Sequence, residues 1–258
     1  MNANVESGNT KVELSVVIPT YKELKRLPRT LSEIIPYLEQ NYKTFEIIVV
    51  DDNSPDGTID YVQSMADKDS RIRLLVQPYR IGKGAAVRRG CIEAIGDYIL
   101  YMDADHATPI SEVEEFYKIA QNGADSVVGI RTYQDSESKW RRILGMLAQI
   151  MAHLLVFERA VFDSQCGFKL FSNKAAKKIF PLCRVNGGMI DVEIFLIIHL
   201  NSLSCVYSPV HWINKSGSRI NILKCIIFDT LELFTIRFRR LTGTYLRIIP
   251  TADQPWSK

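Results

Sequence analysis

The sequence predicts an α/β fold: a mostly parallel central sheet with helices on both faces. Three observations carry that expectation. Short apolar, β-rich runs alternate with segments of helical spacing through the first half of the chain. Two of those runs end in aspartate clusters, Val49-Val50-Asp51-Asp52-Asn53-Ser54-Pro55-Asp56-Gly57-Thr58 and Leu100-Tyr101-Met102-Asp103-Ala104-Asp105. At 258 residues, 47% hydrophobic and 24% charged, the chain is long enough to bury a full core.

The elements follow in order. Residues 14–18 read as a first strand, running into Pro19, where a missing N–H is tolerated at a strand end. Residues 24–40 have helical spacing (Leu27, Leu31, Ile34, Ile35, Leu38), with Pro28 and Pro36 restricting where that helix runs. Residues 45–50 form a second strand, 59–65 a helix and 72–76 a third strand. Residues 82–95 are a helix with Val87, Cys91, Ala94 and Ile95 on one side. A fourth strand over 98–102, a helix over 113–120 and a strand over 126–129 complete the alternation. Beyond residue 130 the pattern changes: a charged stretch, an apolar helix over 143–157, a short segment over 163–172, a mixed region, and an amphipathic helix from 222 to about 241. We expect residues 12–214 to form one domain and 215–258 a basic, amphipathic helical extension.

The chemistry sits at the strand ends. Open α/β folds bind ligands at the C-terminal edge of the sheet, where both carboxylate clusters fall. Carboxylates gathered there repel unless a cation or a donor-rich ligand joins them, and a divalent metal carrying a nucleotide diphosphate does both. Asp67-Lys68-Asp69 has the same spacing as Asp103-Ala104-Asp105 but follows no apolar strand, so it reads as a solvated helix end. Asp51 and Asp52 are placed to accept hydrogen bonds from a base or ribose. The Gly82-Lys83-Gly84 turn opens a helix, which would bring backbone N–H groups and the Lys83 ammonium toward phosphate.

Bulk properties narrow the classes. Five cysteines with no Cys-x-x-Cys pair, and four scattered histidines, point to a reducing compartment and no structural zinc. The first twelve residues are polar, so no secretory signal is expected. The longest uncharged apolar run, 143–157, would be roughly 22 Å as a helix, short of the ~20 residues needed to span a bilayer. Between residues 215 and 247, seven basic residues face only Asp229 and Glu232, which suits an anionic partner. That stretch lacks interleaved aromatics of the stacking kind, which argues against nucleic acid.

The set Val16-Val17-Ile18-Pro19-Thr20-Tyr21-Lys22-Glu23, the 49–58 cluster, Gly82-Lys83-Gly84 and Met102-Asp103-Ala104-Asp105 resembles the family 2 inverting glycosyltransferases of GT-A fold. Within them the chain is most similar to the polyprenyl-phosphate sugar synthases, the dolichyl-phosphate β-glucosyl and mannosyl enzymes. The resemblance implies that Pro19, Thr20, Tyr21, Glu23 and Asp51 or Asp52 hold the nucleoside, with Lys83 beside the phosphates. It also implies that Asp103 and Asp105 place Mg2+ or Mn2+ on the diphosphate, and that Arg131, Arg141 and Arg219 bind the acceptor phosphate. Mannosyl enzymes usually carry Gln where this chain has Ala107; with Asp103 to Thr108 and the 163–171 segment, this favours UDP-glucose over GDP-mannose. The expected acceptor is a polyprenyl phosphate, reached peripherally from the cytoplasmic face of a membrane. Lipid phosphate, largely dianionic near neutral pH, needs no strong base. A polysaccharide hydroxyl would need one, and Asp163 is the carboxylate nominated for it. A nucleotide-sugar-binding protein without activity is the remaining alternative.

Overall fold

A computed structural model describes residues 11–133, 166–213 and 222–246. Seven strands form one mixed sheet in the order β3-β2-β1-β4-β6-β5-β7. β1 (Leu14–Thr20), β2 (Phe45–Asp51), β3 (Ile72–Val76) and β4 (Tyr98–Met102) are mutually parallel, with β1 between β2 and β4. β6 (Phe168–Ser172) runs antiparallel to both β4 and β5 (Ser126–Tyr133), and β7 (Cys205–Trp212) returns parallel to β5. Parallel neighbours need crossovers, and the helices supply them.

Each central strand is buried on both faces, so its side chains feed two cores alternately. Val16, Ile18, Ile47, Val49, Leu100 and Met102 face α1 (Leu27–Asn41), α2 (Thr58–Ala66) and α4 (Val113–Gln121). Val17, Ile48, Val50, Ile99 and Tyr101 face α3 (Lys83–Glu93), α5 (Asn173–Ile179), α6 (Ile190–Leu200) and the inner side of α7 (Ile222–Leu241).

The structure shifts several predicted boundaries. β1 runs on to Thr20, through Pro19: its pairing with β4 ends at Val17, so Pro19 has a ladder neighbour on one side only. α1 begins at Leu27, with Pro28 in its first turn, and continues through Pro36. Leu24 lies outside it and is 36% exposed. α3 ends at Glu93, and Ile95 is exposed rather than packed with Val87, Cys91 and Ala94. Asp67 caps α2 and Asp69 pairs with Arg71, the solvated helix end expected there. The predicted helix over 143–157 lies outside the described residues. Among the described residues, no helix is long and apolar enough to cross a membrane.

Candidate active site

The C-terminal ends of β1, β2 and β4 converge on a cleft of about 400 Å³. Pro19, Thr20, Tyr21, Glu23, Asp52, Lys83, Asp103 and Asp105, all nominated from sequence, line it. The cleft exists because β4 stops at Met102 while β1 stops at Thr20, one strand away, so the chain leaves both ends in turns.

Asp51 is the nominated donor-side residue that turns away. It is fully buried; its Oδ1 accepts the Ser54 N–H at 2.6 Å, and its Oδ2 accepts the Thr20 and Ser54 hydroxyls, each at 2.8 Å. Those bonds tie the β1 and β2 ends and the following turn into one unit. Asp52 stays at the cleft wall, where its Oδ1 accepts the Ile81 N–H at 2.7 Å and anchors the loop leading to Lys83. Of the two, only Asp52 lines the cleft.

Asp103 and Asp105 face the cleft and meet cations. Lys83 Nζ lies 2.9 Å from Asp103 Oδ1, and Arg26 lies 3.9 Å from Asp105 Oδ2. Asp105 Oδ1 also accepts the Ala107 N–H. The Asp103 N–H donates to the carbonyl of Gly167, just before β6, and a Cβ at Gly167 would sit 2.0 Å from Asp103 Oδ2. Only glycine leaves that carboxylate its place. Among the described residues no third His, Cys, Asp or Glu joins the pair into a closed metal cage. Two partly exposed carboxylates beside an open cleft fit a divalent cation completed by substrate phosphates, the usual way Mg2+ is held.

The Gly82-Lys83-Gly84 turn behaves differently from the sequence expectation. The Gly84 and Ala85 N–H groups donate to the Asn186 carbonyl, at 2.7 and 3.3 Å. A Cβ at Gly82 would lie 2.3 Å from that same oxygen. Two of the helix's first N–H groups are thus taken up by protein, and Lys83 lines the cleft. Burial lowers the Lys83 pKa, but Asp103, Tyr101 and Asp191 outweigh it and hold the pKa well above the ordinary value. At Glu23, by contrast, burial prevails and raises the carboxyl's pKa although Arg26 hydrogen-bonds to it.

Sequence reasoning missed five contributors. Arg26 bridges Glu23 and Asp105, and the Arg80 guanidinium lies 4.1 Å from the centre of the Tyr21 ring at the cleft mouth. Gly167 makes room for Asp103. Behind Lys83, Asp191 on α6 lies 3.9 Å from its Nζ and 2.5 Å from the ammonium of Lys169, which is itself wholly buried. Charges therefore alternate from Asp103 through Lys83 and Asp191 to Lys169. The available signal was two carboxylates, Asp191 and Glu193, inside an otherwise apolar run.

On the acceptor side, Arg131 lies on β5 with its guanidinium 5.7 Å from the Trp212 ring. Trp212 borders a small hollow shared with Asp103 and Gly167. Arg141, Arg219 and Asp163 lie outside the described residues.

Comparison with known proteins completes the picture. Residues 15–180 match the family model described as Glycosyl transferase family 2. A dolichyl-phosphate beta-glucosyltransferase of Trichomonas vaginalis is 37% identical, over 89% of this chain and 78% of its own. One from Dictyostelium discoideum is 35% identical over 93% of this chain and 79% of its own, and the human one 33% over 90% and 77%. Among solved structures, Mycobacterium tuberculosis glucosyl-3-phosphoglycerate synthase with Mn2+, uridine diphosphate and glucosyl-3-phosphoglycerate superposes with a TM-score of 0.66. The overlap covers 89% of this chain and 80% of that one at 18% identity, a likeness of GT-A fold.

Proposed function

This chain belongs to glycosyl transferase family 2 and is a glycosyltransferase, and from that premise we propose that it moves glucose from UDP-glucose to the phosphate of a dolichyl-type lipid. The single observation that carries the reading is the pairing of Asp103 and Asp105 with Lys83 at the edge of one cleft, in a chain whose relatives bear that activity in their names.

Under this reading Tyr21, Arg80, Thr20 and Asp52 hold the nucleoside, and Lys83 lies against the diphosphate. Asp103 and Asp105 hold Mg2+ or Mn2+, which when bound neutralises charge on the departing diphosphate. A lipid phosphate oxygen forms the bond to the anomeric carbon as the bond to the UDP oxygen breaks, and UDP leaves with the electron pair. Arg131, with Arg141 and Arg219, steadies the acceptor phosphate, a task suited to a planar guanidinium. Reaching such a lipid requires contact with a membrane surface, here assigned to the cytoplasmic face.

A sugar hydroxyl acceptor would need a carboxylate base. Among the described residues, Glu23 is held by Arg26, Asp52 by the Ile81 N–H and Asp191 by Lys169, and the nominated Asp163 lies outside them. The test is transfer from UDP-glucose, against GDP-mannose and other sugars, to a short polyprenyl phosphate with Mn2+. A lipid-linked glucose is expected. Preference for GDP-mannose would overturn the donor, and transfer to polysaccharide alone would overturn the acceptor. Arg131→Ala should raise the acceptor KM roughly tenfold and leave the donor KM unchanged.

A further inference from the structure

α7 has two apolar faces. One is buried: Leu233 and Ile236 join the core, and Glu232 accepts the N–H groups of Gly187 and Met189 at 2.7 and 3.1 Å. The other carries Ile227, Phe228, Leu231, Phe234, Phe238 and Leu241, each between 53% and 73% exposed. At 100° per residue these six fall on one side of the helix, opposite Ile236, and extend for about 21 Å. Scattered exposed apolar residues are ordinary; a continuous stripe of this length marks an interaction surface.

The stripe's charge pattern selects its occupant. The two acidic residues of α7 are withdrawn from it, Glu232 into its clasp and Asp229 to a half-buried position against Gly188. On the same wheel Arg237 lies about 40° from Leu241, at the stripe's C-terminal edge, whereas Arg240 falls beside Ile236 on the far side. An aromatic and aliphatic stripe edged by one guanidinium group, with no carboxylate on it, complements hydrocarbon beneath anionic headgroups, where the proposed lipid acceptor resides. The Glu232 clasp also fixes its place. It holds the loop whose Asn186 carbonyl closes the N-terminus of α3, beside Lys83, so the stripe is anchored one loop away from the cleft.

We infer that α7 is the membrane-docking element, lying in the plane of the interface with Phe228, Leu231, Phe234 and Phe238 inserted among the acyl chains. The inference deepens the lipid-acceptor reading and rests on it for its biological sense, but its test needs no catalysis. Flotation with phosphatidylcholine vesicles, with and without phosphatidylserine, at low and high salt, measures docking directly. The parent protein is expected to stay bound at high salt, with phosphatidylserine strengthening the binding. The double variant Phe234→Ser, Phe238→Ser should bind at least roughly tenfold more weakly with an unchanged melting temperature, because both rings are solvent-facing. Equal binding by parent and variant, complete release of the parent by salt, or no binding at all would each overturn the inference. So would a dimer, seen by sedimentation, that the double variant converts to monomer: the occupant would then be a second copy. Transfer to detergent-dispersed short-chain polyprenyl phosphate should be the same in both proteins. Its absence from both would sink the acceptor assignment while leaving the vesicle result standing.

Discussion

The ends of β2 and β4 look alike in sequence and do opposite things. Each closes an apolar strand with two carboxylates, and each lies next to β1. At the β2 end, Asp51 is fully buried and saturated by an N–H and two hydroxyls, so its charge is spent on holding the turn. At the β4 end, Asp103 and Asp105 meet the cations Lys83 and Arg26 across an open cleft. What separates the two ends is the kind of donor that reaches their carboxylates. Neutral donors make a closed joint at Asp51, whereas Asp103 and Asp105 stay partly exposed at an open cleft.

The largest effect should come from Asp103→Asn. It removes charge from a cleft-facing group, so kcat/KM should fall by about a thousandfold or more with the melting temperature little changed. Steady-state glucosyl transfer with Mn2+ and a thermal melt check it together, and full activity would erase the contrast. Asp51→Ala should do the reverse. Stripping the acceptor from three buried donors should cost about 3 kcal/mol in urea unfolding, with activity per folded molecule within a few-fold of the parent.

Gly167→Ala sharpens the comparison from the other strand. Its methyl would displace the Asp103 carboxylate, so the Mn2+ concentration for half-maximal activity should rise roughly tenfold. An unchanged Mn2+ requirement would mean that Asp103 does not depend on the space that Gly167 leaves it. The smallest effect concerns Lys83. Its folded pKa is raised, so the stabilisation from its pair with Asp103 is complete below the ordinary lysine pKa and lost as pH rises through the folded value. In EDTA, the parent's melting temperature should therefore fall more steeply on the alkaline side than that of Lys83→Met. The difference should be small, because the side chain is 37% exposed and solvent screens the pair. Parallel curves would show that the pair contributes nothing.

Legibility followed the same divide between local and distant. β1 to β4 and their helices could be read because each is a run with its own period, bounded by its own turn residues. α6 could not: Ile190 through Ile198 are all buried, so the run has no polar face to set a helical period. β6 was folded into a short segment and β7 into a mixed region. Their pairing partners, β4 and β5, are set by the sheet rather than by anything in their own residues. The Gly82-Lys83-Gly84 turn was legible as a helix start but not in its wiring, because its N–H acceptor, Asn186, lies a hundred residues away in sequence.

By itself the sequence determined where carboxylates and a lysine meet strand and helix ends, since strand period, turn residues and helix starts are written within about ten neighbouring residues. The tertiary structure decided which of those groups face the cleft and what they meet there. Asp51 is satisfied by Thr20, Asp103 is positioned by Gly167 and paired with Lys83, and Lys83 is backed by Asp191 and Lys169. A carboxylate's environment depends on which donors and charges lie within a few ångströms of it, and for most of these groups the deciding partners come from other strands and helices of the sheet.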